Sequence, residues 1–225
     1  MTKIKPTEQD IVDFHINMFI HLLRGIETGI IDYNQNSDNA PPTENQIVNY
    51  ITNIDIDIEY NQIVDFKAKS ILDVPLWKIV EANGKYKVDY ISSGIWQIAN
   101  QLDNNNYSNI KPSQIERFLK EHLSENECYY LEESDIYIKN IEDCKVQLDH
   151  VTPRKIIIKE ILELKNDEDI KKFLKEKCVG CIVLKDEHKK LNDDYNKYDK
   201  DDLWKRYKDA NIAVYDRSVN NWVEN

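Results

Sequence analysis

The 225-residue sequence predicts an α+β chain, with a predominantly α-helical N-terminal module over 1–125 and a smaller strand-bearing module over 126–225. Three observations predict it. Helical apolar spacing dominates the first part, beginning with Ile11, Phe14, His15, Met18, Phe19, Leu22, Leu23 and Ile26. Short strand-like runs gather at 128–148 and 179–184. The composition, 41% hydrophobic with 13 Tyr and 4 Trp, is too apolar for a fully disordered chain. A chain of this length makes one large domain or two small ones, and either buries an adequate core.

The elements follow in order. Thr7 and Asp10 have the spacing of a capping box, so the first helix starts there, after Pro6. A polar loop with Pro41 and Pro42 comes next, then a short helix from Thr43. Ile54, Ile56 and Ile58 alternate with Asp55, Asp57 and Glu59, which predicts a half-buried strand with a solvated acidic face. One or two helical turns are expected over 74–82, a strand over 85–91, and helices over 94–102 and 112–123. The last pair has helix–loop–helix spacing, but Arg117 and Lys120 are offset by Glu116 and Glu121, so packing is expected rather than DNA reading. Two short strands are expected within 128–148, the second ending at Asp149-His150. Helical pieces at 156–164 and 167–175, a strand at 179–184 and a helix from Asp186 complete the module.

The charge narrows the function classes. The net charge is −11, which argues against non-specific coating of nucleic acid, because phosphate binding needs a cationic surface. It is unevenly placed. Residues 1–153 carry 13 Lys and Arg against 25 Asp and Glu, and residues 154–225 carry 17 against 16. No apolar run approaches the roughly 20 residues that span a bilayer, so no membrane partner is expected. The absence of a signal-like N-terminus and the four Cys predict a cytoplasmic protein with reduced thiols.

Two segments hold polar residues that local folding does not require. One is Leu148-Asp149-His150-Val151-Thr152-Pro153. The other is the strand-to-helix element from Cys181 through Leu184, followed by Glu187-His188 and Leu191-Asn192. His150 has the chemistry of a general base, since an unperturbed imidazole titrates near pH 6.5. Asp149 offers a hard oxygen for Mg²⁺ or Mn²⁺. Adjacent strand residues point to opposite sides, so the two serve one site only if the strand ends or bends there. His188 and Asn192 are four apart and share a helical face.

Together the two segments resemble the HNH family of ββα-metal nucleases, over about residues 128–200. The resemblance implies a small ββα-metal module and a metal-dependent phosphodiesterase, a DNA endonuclease of the restriction or defence kind. It implies His150 as general base, Asp149 as metal ligand and His188 or Asn192 as the helix ligand. It implies phosphate contacts from Arg154, Lys155, Lys189 and Lys190. The gap from His150 to His188 is 38 residues, wide enough for a helical insertion, and Cys178-Val179-Gly180-Cys181 stands where the family usually has an Asn. Cys178 and Cys181 have zinc-knuckle spacing. Cys128 and Cys144 do not form a second pair, so buried thiols are expected rather than a structural Zn²⁺.

DNA is the expected partner, with a homodimer or protein partner through the acidic N-terminal module. Two other readings compete. One is a non-catalytic acidic protein that mimics DNA or inhibits a DNA-binding protein. The other is a degenerate nuclease fold kept for binding.

Overall fold

The computed structural model describes residues 7–27, 31–34, 64–67, 72–82, 88–102, 111–125, 128–193 and 198–223. The helix expected from Thr43, the strand expected at 54–59 and residues 85–87 of the strand expected at 85–91 lie outside them. The chain is mixed α+β and divides into two compact units, Met1–Ala82 with Arg154–Cys178, and Asn83–Pro153 with Val179–Asn225. Each unit is discontinuous in sequence.

In the first unit, α1 (Glu8–Glu27) starts on the capping box read from the sequence. The Asp10 amide donates to Thr7 Oγ1 at 3.2 Å, and the Thr7 amide donates back to Asp10 Oδ2 at 2.8 Å. The helix buries Ile16, Met18, Phe19, Leu22 and Leu23. Phe14 is exposed, because the buried stripe runs beside it rather than through it. β1 (Ile31–Asn34) pairs in parallel with β2 (Val64–Lys67). α2 (Asp73–Val80) packs on α1. Among the described residues, the unit's other helices are α5 (Arg154–Ile161) and α6 (Asp167–Lys177). Asn166 caps α6 by accepting the Asp169 amide at 2.8 Å. Two ion pairs tie α1 to α6, Arg24–Asp167 at 2.7 Å and Lys175–Asp13 at 2.9 Å.

The second unit is built on a five-stranded sheet of order β6-β7-β3-β8-β9. The strands are β3 (Tyr90–Ser92), β6 (Val146–His150), β7 (Gly180–Leu184), β8 (Val214–Asp216) and β9 (Asn221–Trp222). β3 and β7 are parallel, and the other neighbours are antiparallel. α3 (Ser93–Leu102) and α4 (Pro112–Glu125) match the two helices read from the sequence. The region 128–148 holds three strands rather than two, because β4 (Tyr129–Leu131) and β5 (Ile136–Ile138) form their own hairpin before β6. α7 (Lys185–Asp193) follows β7 directly, and α8 (Lys205–Asp209) follows later.

The sheet's register sorts its side chains by face. Asp149 lies opposite Cys181, and His150 opposite Gly180. On the Asp149 face, Val151, Cys181, Val183, Leu191, Tyr207, Ile212 and Val214 form one buried cluster. α7 and α8 contribute Leu191 and Tyr207 to it. Among the described residues, no helix is long and apolar enough to cross a membrane.

Candidate functional site

β6 is an edge strand, so half of its backbone groups point away from β7. Two side chains from elsewhere satisfy one such group at each end. Glu116 Oε1 on α4 accepts the Val146 amide at 3.1 Å. At the other end, the Arg206 guanidinium on α8 donates to the His150 carbonyl at 2.7 Å. The same guanidinium bonds Asp149 Oδ2, and its other terminal nitrogen donates to Leu191 O at 3.4 Å. One buried fork thus joins the end of β6, the last turns of α7 and the start of α8.

Asp149 is the centre of this arrangement, and it is 5% exposed. Its Oδ2 also accepts the Tyr207 hydroxyl at 2.7 Å. Burial, and then the nearby Asp149 charge, push the Tyr207 phenol well above its ordinary value, so it stays a donor. Asp149 Oδ1 faces the helix. His188 Nε2 approaches it at 3.4 Å, with the His188 side chain 29% exposed. The structure therefore brings together Asp149 and His188, 39 residues apart in sequence.

His150 is placed differently. The ladder stays regular beyond it, since the Val151 amide donates to Val179 O at 2.9 Å. The chain bends only after the strand has ended, at Val151 and Thr152, and alternation within β6 sends the imidazole to the face opposite Asp149. His150 is 5% exposed. Asn192 lies in the last turn of α7, and its side chain falls outside the described residues.

The cations expected near phosphate have partners of their own. Arg154 belongs to the first unit, where it pairs with Asp73 at 2.8 Å and stacks over Trp77. Lys155 is exposed on the same helix, α5. Lys189 bonds Asp143 at 2.8 Å and also Asp186, and these hydrogen bonds raise its pKa. Lys190 donates to the Asp135 carbonyl at 3.2 Å. Cys178 is buried in the first unit and donates to Leu76 O at 3.3 Å. Cys181 is buried in the second unit beside Asp149 and Tyr207. Burial raises both thiols, which keeps them protonated.

Sequence reasoning missed three residues. Arg206 and Tyr207 carry no local signal, being 57 and 58 residues from Asp149. The third is Glu187, one position before His188 and fully buried. It accepts the Leu184 amide at 2.8 Å, the Gly94 amide at 3.0 Å and the Ser92 hydroxyl. The first bond is half of a capping box for α7. The cap position is Leu184, which cannot return a side-chain bond, so the usual Ser/Thr-x-x-Glu signature is missing. Burial raises the Glu187 pKa against the pull of those bonds.

A carboxylate oxygen and an imidazole nitrogen 3.4 Å apart are close enough for one cation with bonds of about 2.1 Å to each. Among the described residues, no group of three or more His, Cys, Asp and Glu converges. Water would have to complete the coordination, which is the habit of Mg²⁺. The pair fits such an ion chemically, with Asp149 already half-engaged by Arg206. No family model, curated protein or solved structure matches the chain.

Proposed function

We propose that the chain is a metal-dependent phosphodiesterase of HNH type acting on DNA, with Asp149 and His188 holding Mg²⁺ or Mn²⁺ and His150 as general base. One observation carries this reading. An antiparallel strand pair, β6 and β7, leads directly into α7, and that helix brings His188 to 3.4 Å from Asp149. The helical pieces α5 and α6 fill the chain between the two strands, which accounts for the long gap between the motifs.

The division of labour follows from the groups. A bound divalent ion supplies charge neutralisation at the phosphate and activation of water. Asp149 and His188 hold it from two elements, and the Arg206 fork keeps Asp149 from turning away. His150 is the group proposed to take the proton from the attacking water, and its buried position on the face opposite Asp149 makes that the step asking most of the fold. Lys189 and Lys190 reach phosphate only by leaving Asp143, Asp186 and the Asp135 carbonyl.

Purified protein is expected to cut DNA with Mg²⁺ or Mn²⁺, and His150→Ala to abolish cutting while leaving the circular dichroism spectrum unchanged. Intact DNA across metals, salts and sequences, from a folded protein, would overturn the reading. A second reading has its own support. The burial of His150 and the occupation of Asp149 by Arg206 and Tyr207 favour a nuclease-like fold retained for binding. That reading predicts no cleavage and no change of behaviour in His150→Ala.

A further inference from the structure

We infer that Tyr207 is a positioning residue whose hydroxyl, with Arg206, fixes the Asp149 carboxylate so that Oδ1 is presented to a divalent cation beside His188. The inference rests on the proposed metal pair and adds to it the residues that orient it.

A free aspartate rotates about its last side-chain bond and offers either oxygen. Here Oδ2 is taken by two donors, the Arg206 guanidinium and the Tyr207 hydroxyl at 2.7 Å. They approach from α8, while His188 approaches Oδ1 from α7. The two oxygens are thus assigned to different neighbours, and the plane of the carboxylate is set by three groups. Both holders are themselves locked. Arg206 is anchored to two backbone carbonyls, His150 O and Leu191 O. Tyr207 is fully buried among Val151, Cys181, Val183 and Val214.

The two holders have different electrical effects. Arg206 brings a positive charge that offsets the carboxylate and so competes with any cation. Tyr207 brings orientation without a net charge, through a hydroxyl that donates to Oδ2. Removing its hydroxyl leaves the Asp149–Arg206 pair in place and takes away one of the two donors that hold Oδ2. Groups that hold a metal ligand from behind typically contribute 10- to 100-fold to metal affinity.

The experiment is a titration of Mn²⁺ into the metal-free protein, read by loss of the free Mn²⁺ signal in electron paramagnetic resonance. Wild type, Tyr207→Phe, Arg206→Lys and Asp149→Asn are compared, with urea unfolding of each in the absence of metal. Tyr207→Phe is expected to weaken Mn²⁺ binding about tenfold while the folded fraction is unchanged. Asp149→Asn is expected to abolish binding at the site. Arg206→Lys keeps the charge but loses the fork, and is expected to weaken binding as well. It also serves as the test should Tyr207→Phe not fold. Wild-type affinity in a folded Tyr207→Phe would overturn the positioning role alone. Absence of Mn²⁺ binding by wild type would overturn the metal-site reading and this inference with it.

Discussion

Two acids are buried within one turn of the same helix, and they are handled in opposite ways. Asp149 reaches α7 from the end of β6 and meets a guanidinium, a phenol and an imidazole. Glu187 sits in the first turn of α7 and meets two backbone amides and the Ser92 hydroxyl. Asp149 has a full opposite charge in contact, the Arg206 guanidinium. Glu187 is held by dipoles, and burial shifts it towards its protonated form. The lesson is one of division. Glu187 fastens α7 to β7 and to the start of α3, while Asp149 keeps one oxygen turned towards the exposed edge of His188.

Breaking the Asp149 side has the largest expected effect. Arg206→Ala removes the only described cation bonded to Asp149 Oδ2 and leaves a buried carboxylate uncompensated. A loss of about 3–5 kcal/mol is expected, measured by urea unfolding. Replacing Asp149 by Asn in the same background should recover part of that loss, because the buried charge is then gone. Recovery of nothing would mean that Arg206 acts chiefly through the His150 and Leu191 carbonyls.

The Glu187 side is tested by pH. Its pKa is raised above the ordinary 4.5 in the folded state, so the folded chain binds that proton more tightly than the unfolded chain. Its contribution is fully present below the unfolded value and is lost as pH rises through the folded one. Stability is therefore expected to fall as pH rises above about 4.5, and Glu187→Gln to flatten that part of the profile. An unchanged slope in Glu187→Gln would assign the pH dependence to other groups. The smallest effect belongs to the surface. Lys189 pairs with Asp143 and Asp186 but is more than half exposed. Lys189→Ala is expected to change stability by less than about 1 kcal/mol. A larger loss would show that buried Asp143 depends on it.

Much of the described fold was legible in the sequence, and the exceptions share a cause. Helices α3, α4, α6 and α7 and strand β7 follow from apolar spacing and caps, which are local properties. A partnership of Asp149 with His188 was implied only by the family resemblance, which left Asn192 as the alternative. The continuation of the ladder past His150 was not legible, because Pro153 signals a stop without specifying at which residue pairing ends. Arg206, Tyr207 and Ser92 gave no signal, since each has an ordinary local context.

By itself, the sequence determined several of the helices, strand β7, and that Asp149 and His150 stand at a strand's end. Caps and periodicity act within a few residues, so they are readable without knowing the fold. The tertiary structure decided which face each of those two residues occupies and who meets them. That depends on the register of β6 against β7 and on α8 returning beside the strand, because a buried carboxylate takes its partners from whatever chain folds against it.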